Sequence, residues 1–254
     1  MVLIQLTDSH LYGTPERRLC GMNTADSLRA VVALVRQQHP EIAAILATGD
    51  LSQDESAASY QHFLEIVAPL NAPLYACAGN HDEARLLAAQ VSAVREFTCG
   101  AWTVILLNSS VAGCTAGHIA ATELAWLAQR LEANTTRPVL VAFHHCPLPV
   151  GCAWLDPIGL TNADALFACL APFSNVRALL CGHVHQPVEQ FKNGIKVLAS
   201  PSTCIQFAAN STEFTVSDEL PGYRWLRLLE DGTLETGVQR VPAFAWNLDL
   251  NDGY

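Results

Sequence analysis

Short apolar runs alternate with helical periodicities along the first three-quarters of the chain. Val2–Leu6 is the first run. Leu28, Val31, Val32 and Val35 then recur at the three- and four-residue spacing of one helix face, which predicts a helix over Ala25–Gln38. Ile42–Ala47, Leu74–Ala78, Val104–Leu107, Val139–Phe143 and Val176–Cys181 are further runs of strand length. The helical pattern returns in Tyr60, Phe63, Leu64 and Val67, in Leu124, Leu127 and Leu131 of Thr122–Leu131, and in Ala163–Leu170. After Gln186 the texture changes. Val188–Phe191 and Lys196–Leu198 flank Lys-Asn-Gly, and Arg224–Leu229 and Thr233–Val238 flank Glu-Asp-Gly, the turn residues of tight hairpins. The pattern predicts an α/β protein with a mostly antiparallel last quarter. It reads as a single domain over residues 1–241, with a tail over 242–254 that either wraps the surface or is mobile.

Composition narrows this. Of 254 residues, 50% are hydrophobic and 15% charged, which excludes intrinsic disorder. A net charge of −10 without a basic patch excludes general binding to nucleic acid backbones. The nine cysteines form no C-x-x-C pair, as expected of reduced thiols in the cytoplasm. No signal peptide precedes the first strand. The longest apolar run, Ala165–Ala171, falls far short of the ~20 residues of a membrane span. The expected address is cytoplasmic, with no membrane partner.

Five polar clusters follow apolar runs: Asp8-Ser9-His10, Gly49-Asp50, Gly79-Asn80-His81-Asp82, His144-His145 and Gly182-His183-Val184-His185. Ligands bind at the carboxyl ends of strands in open α/β sheets. Asp-x-His and His-x-His put two side chains on one side of an extended segment. Two such claws can hold one cation. Asn80, His144 and His183 can hold a second, with Asp50 bridging both. Imidazole, carboxylate and amide donors together suit Fe, Mn, Zn or Co. Alternation lets only one of His144 and His145 face the metals.

This order of motifs resembles the calcineurin-like binuclear metallophosphoesterases, over residues 8 to 185. Four further stretches resemble the bacterial class III 3′,5′-cyclic AMP phosphodiesterases. They are Gly21-Met22-Asn23-Thr24, the run from His144 to Asp156, the run from Leu179 to Gln186, and the run from Pro201 to Phe207. The resemblance implies a four-layer αββα sandwich of two mixed β-sheets flanked by helices. It assigns one metal to Asp8, His10, Asp50 and His185, and the other to Asp50, Asn80, His144 and His183, favouring His144 over His145. His81 would protonate or stabilise the leaving oxygen, and His10, Asp50, Asn80, His81 and His185 would touch the phosphate. The implied reaction is hydrolysis of cyclic AMP to 5′-AMP by in-line attack of a metal-bridging hydroxide, with Asp50 and His81 as catalytic residues. The cofactors would be two divalent or mixed-valence ions, Fe or Mn first, Zn or Co next. The alternatives are a phosphoesterase of another diester or monoester and a non-catalytic scaffold.

The remaining candidates receive structural expectations. Asp82 either orients His81 or caps the next helix. His39 ends a helix, where a cation complements the dipole. His62 is expected in solvent, and His118 in a loop. Trp154 and Phe207 either stack on a purine or pack.

Overall fold

A computed structural model describes residues 1–253 of the chain. It begins with β1 (Val2–Leu6), a two-strand ribbon β2 (Arg18–Leu19) and β3 (Met22–Asn23), and α1 (Thr24–Gln38). Then come β4 (Ala44–Thr48), α2 (Ala57–Val67), β5 (Leu74–Cys77) and α3 (Ala84–Gln90). The central part holds β6 (Glu96–Cys99), β7 (Trp102–Leu106), α4 (Ala121–Glu132), β8 (Val139–Ala142), α5 (Ala163–Leu170) and β9 (Val176–Cys181). A last, helix-free stretch adds β10 (Val188–Lys192), β11 (Ile195–Ala199), the ribbon β12 (Gln206–Phe207) and β13 (Val216–Ser217), β14 (Gly222–Leu228) and β15 (Leu234–Arg240).

Two mixed sheets result. The first has the order β15-β14-β1-β4-β5 and the second β10-β11-β9-β8-β7-β6. In both, the central strands run parallel and the hairpins lie at the edges: β1, β4 and β5 in one, β7, β8, β9 and β11 in the other.

Side-chain alternation explains the layering. Ile45 and Ala47 of β4 pack with Leu28, Val31, Val35, Tyr60 and Phe63 of α1 and α2. Ala44 and Leu46 face the other way, onto Leu140, Ala142, Ala178 and Leu180 of the second sheet. Val139 and Val141 turn outward to Leu127, Leu131, Leu166 and Leu170 of α4 and α5. β4 and β8 are buried on both faces along their whole length, which is why they read as nearly unbroken apolar runs. The three cores make the expected αββα sandwich.

The long elements lie where the periodicity puts them, within two residues. The two-residue ribbon strands β2, β3, β12 and β13 escape it, as do α3, with only Leu87 fully buried, and the edge strand β6, in which only Cys99 is buried. So few inward positions leave no period to read.

The tail wraps the surface. Phe244 and Trp246 pack on the core, and the Asp249 amide donates to the Cys20 carbonyl at 3.1 Å. A Cβ on Gly21, whose φ is +86°, would run into the Asn247 carbonyl. Tyr254, the last residue of that expected tail, lies outside the described residues. Among the described residues no helix is long and apolar enough to cross a membrane.

Candidate metal centre

All five polar clusters lie at the carboxyl ends of parallel strands, and the two sheets bring those ends together. Beyond β1 and β4 the ladder continues into the loops: Asp8 donates its amide to the Gly49 carbonyl at 3.0 Å, and His10 its amide to the Asp50 carbonyl at 2.9 Å. Between the sheets, the His183 amide donates to the Asp8 carboxylate at 3.1 Å. Asp8, His10, Asp50, His183 and His185 all adopt positive φ, between +46° and +69°. Such non-glycine conformations cost ~1–3 kcal/mol each and persist only where surrounding bonds hold them. Gly49, at φ +93°, lets the backbone pass the His144 ring, which a Cβ there would overlap.

The side chains converge. His185 Nε2 is 3.3 Å from Asp8 Oδ1 and 3.3 Å from His10 Nε2. His144 Nε2 is 3.2 Å from Asp50 Oδ2 and 3.9 Å from Asp8 Oδ1, and His10 Nε2 is 3.9 Å from Asp50 Oδ2. His183 packs its ring 5.1 Å from that of His144. His81, half-buried, sits edge-on to His10 at 5.0 Å, and its amide donates to Asp50 Oδ1 at 2.8 Å.

Outer partners set which nitrogen faces inward. His144 Nδ1 donates to the Thr48 carbonyl and His185 Nδ1 to the Ile205 carbonyl, both at 2.8 Å. His10 Nδ1 is 2.6 Å from Gln53 Oε1. A carbonyl only accepts, so Nδ1 carries the proton and Nε2 presents a lone pair to the cluster, the arrangement of a metal-ligating imidazole. His145 is different. Its Nδ1 meets the Ser109 hydroxyl at 2.9 Å and its Nε2 the Thr115 carbonyl at 3.1 Å, so both nitrogens already have partners, although one lies within 4.8 Å of ligand nitrogens of His144 and His183.

The residues fit a pair of cations. His144 Nε2, His183 Nε2 and Asn80 Oδ1 are buried and make no hydrogen bond. Buried polar atoms are otherwise almost always satisfied. Three orphaned donors of ligand type beside two buried carboxylates are what a metal site without its ions leaves behind. Two donor sets, Asp8–His10–His185 and Asp8–Asp50–His144, each lie within 4.8 Å.

Charge behaves accordingly. Burial works against ionising Asp8 and Asp50, but His185 beside the first and His144 beside the second hold both below the usual carboxylate range. Burial pushes His10 down to about 3 despite Asp50, and holds His183 well below the usual imidazole range with help from His145 and His144. His144 is lowered by burial, yet Asp50 and Asp8 bring it up to about 9. The centre thus holds anionic oxygens and mostly neutral imidazoles, as cation ligands should be.

Several sequence expectations change. Asp82 does not cap α3, whose cap is Glu83. It accepts from the amides of Leu51, Ser52 and Gly79 and from the Tyr60 hydroxyl, tying the Asp50 and Asn80 loops together. Phe207 is buried, stacked on His185 at 4.0 Å, so it props a site imidazole and offers no face to a purine. Trp154 packs on Phe207 and donates to Ser211 Oγ. His39 is held below its ordinary value by burial and Arg227, which weakens the charge expected to complement the α1 dipole. His62 is bonded to the Tyr12 carbonyl, whereas His118 lies in a loop as expected, and is exposed. Sequence reasoning missed Gln53 and Ser109, which hold His10 and His145. Gln53 lies three residues after Asp50, a signal that was there to read; Ser109 lies 36 residues from His145 and carried none.

Comparison with known proteins agrees with this geometry. Residues 1–187 match the family model described as calcineurin-like phosphoesterase. The chain is 47% identical to a 3′,5′-cyclic adenosine monophosphate phosphodiesterase of Pseudomonas aeruginosa, over 99% of this chain and 94% of that one. It is 40% identical to a 3′,5′-cyclic-nucleotide phosphodiesterase of a Nostoc strain, over 94% and 92%. In fold it is similar to a dimetal phosphatase from Danio rerio, with a TM-score of 0.68 at 14% identity, over 95% of this chain and 99% of that one.

Proposed function

This chain belongs to the calcineurin-like phosphoesterase family, and from that membership we propose that it hydrolyses 3′,5′-cyclic AMP to 5′-AMP, in the cytoplasm, with one catalytic domain over residues 1–241. One observation carries the reaction class: the buried His183 Nε2 and Asn80 Oδ1 make no hydrogen bond and lie with His144, which faces Asp50, in a cluster with two buried carboxylates. The substrate follows from likeness over nearly the full chain to enzymes named for cyclic AMP.

Asp8, His10, Asp50 and His185 would hold one ion, and Asp50, Asn80, His144 and His183 the other, with Fe or Mn best suited to these donors and Zn or Co next. Bound there, divalent ions supply an acidified water and neutralise charge on the phosphate oxygens. The protein's own groups do the rest. His10, Asp50, Asn80, His81 and His185 surround the phosphate. Asp50 accepts the His81 amide, which keeps that imidazole beside the reacting atoms. His81 gives its proton to the 3′ oxygen as the P–O3′ bond breaks, so that hydroxide ends on phosphorus and hydrogen on the ribose.

The experiment is turnover of cyclic AMP by protein reconstituted with Mn²⁺ or Fe²⁺, with the product identified. Release of 5′-AMP, abolished by a chelator and by Asp50→Ala, is the expected result. Intact cyclic AMP beside cleavage of bis(p-nitrophenyl) phosphate would move the substrate to another phosphoester. Metal binding with no hydrolysis of either would leave a scaffold.

A further inference from the structure

The phosphate of cyclic AMP is closed into a ring with its ribose, so the nucleoside must lie directly beside whatever holds the phosphate. A cavity of about 380 Å³ opens beside Asn80, one of the residues assigned to the phosphate. That volume is within the ~300–1,000 Å³ of small-molecule sites. Asn80 and Asp82, the residues on either side of His81, line it. Its far wall is the 108–113 loop and its rim includes Glu55 and Arg85.

The loop wall is built, not slack. Asn108 accepts the Ser110 amide on its own Oδ1, and its backbone amide donates to Glu123. Ser109 Oγ is fastened to His145, and His145 Nε2 to the Thr115 carbonyl. The histidine beside His144 therefore latches this wall to the cluster. The fixed Asn108 Oδ1 leaves the amide nitrogen as a donor, and Glu55 offers an exposed carboxylate acceptor.

We infer that this cavity is the nucleoside subsite, and that Asn108 and Glu55 are specificity-determining residues for the base and ribose. The inference rests on the cyclic AMP reading above. Charge gives the substrate its direction: with Glu55, Asp82 and Glu83 against the one cation Arg85, the lining and its rim are net acidic, repel phosphate and accept the amine and hydroxyl hydrogens of a neutral nucleoside. The same rim disfavours diesters with a second phosphate.

The test compares Mn²⁺-loaded wild type, Asn108→Ala and Glu55→Gln on cyclic AMP and on bis(p-nitrophenyl) phosphate, which has no nucleoside. The ratio of kcat/KM for cyclic AMP to that for the small diester should fall about 3- to 10-fold in each variant, as for one lost hydrogen bond. Calorimetry should show 5′-AMP binding weakened by a similar factor relative to inorganic phosphate. An unchanged ratio with unchanged 5′-AMP binding, or parallel losses on both substrates, would overturn the subsite while the phosphodiesterase reading stood. Wild type that cleaves the small diester but not cyclic AMP would overturn both.

Discussion

The His144 imidazole donates from Nδ1 to the carbonyl of Thr48 at 2.8 Å, although the two residues are 96 apart and end strands in different sheets. That bond joins the layers at the site and turns Nε2 onto Asp50. His145, one residue on, turns the other way, to Ser109 and Thr115.

The adjacent histidines should separate cleanly on substitution. His144→Ala should lose about one of the two metal equivalents after dialysis, since a ligand is gone. His145→Ala should keep both equivalents, with a lower thermal midpoint from ~1–3 kcal/mol of unpaired Ser109 and Thr115 groups. Metal analysis with the reverse result would exchange their assignments.

Loading the centre should stabilise the fold, because the orphaned atoms of Asn80, His144 and His183 gain partners only then. Manganese at about 100 times its Kd adds ~2.7 kcal/mol, several degrees in Tm. Thermal scans of chelated and Mn²⁺-loaded protein measure this. An unmoved midpoint would mean the cluster takes no metal.

The chelated protein should be most stable near neutrality. His10 and His145 sit at about 3 in the fold and His183 well below its ordinary value, all from burial first. Unfolded, each takes up a proton near 6.5, so their stabilisation is lost as pH falls below 6.5. Asp82 opposes them, held up at about 6 by burial and Asp50, so the fold gains from it as pH falls toward 3.8. Three groups against one leave a net loss toward acid. On the other side, the contribution of His144, complete below 6.5, disappears as pH rises through about 9. Urea midpoints at pH 5, 7 and 9 should peak at 7; a higher midpoint at pH 5 would contradict these assignments.

His81→Gln should lower kcat for cyclic AMP by about 10²- to 10⁴-fold while both metals remain bound. A leaving group that needs no proton should restore much of the loss. Equal damage on p-nitrophenyl and ribose leaving groups would remove the acid role.

Gly49→Ala should destabilise the protein by at least ~1–3 kcal/mol and reduce its metal content, because a Cβ at φ +93° meets the His144 ring and the Gly79 amide. Normal metal content in a normally stable variant would show that the His144 pose is not constrained by this contact.

The sequence by itself determined the layers and the location of the chemistry. Strands buried on both faces are largely apolar, so β4 and β8 announced themselves as apolar runs, and β1 and β9 as runs broken once, at Gln5 and Arg177, with the polar residues after them at strand ends. The resemblance then supplied the expected roles of Asp8, His10, Asp50, Asn80, His81, His144, His183 and His185. Only the tertiary structure decided how those residues are held. Which imidazole nitrogen faces inward depends on the carbonyls of Thr48 and Ile205, and the brace of Asp82 depends on Leu51, Ser52 and Tyr60. Periodicity reports a residue's relation to near neighbours along the chain, whereas hydrogen bonds between loops of different strands exist only once the sheets are paired. For the same reason the sequence left Phe207 open between stacking on a purine and packing, until His185 was found against its face.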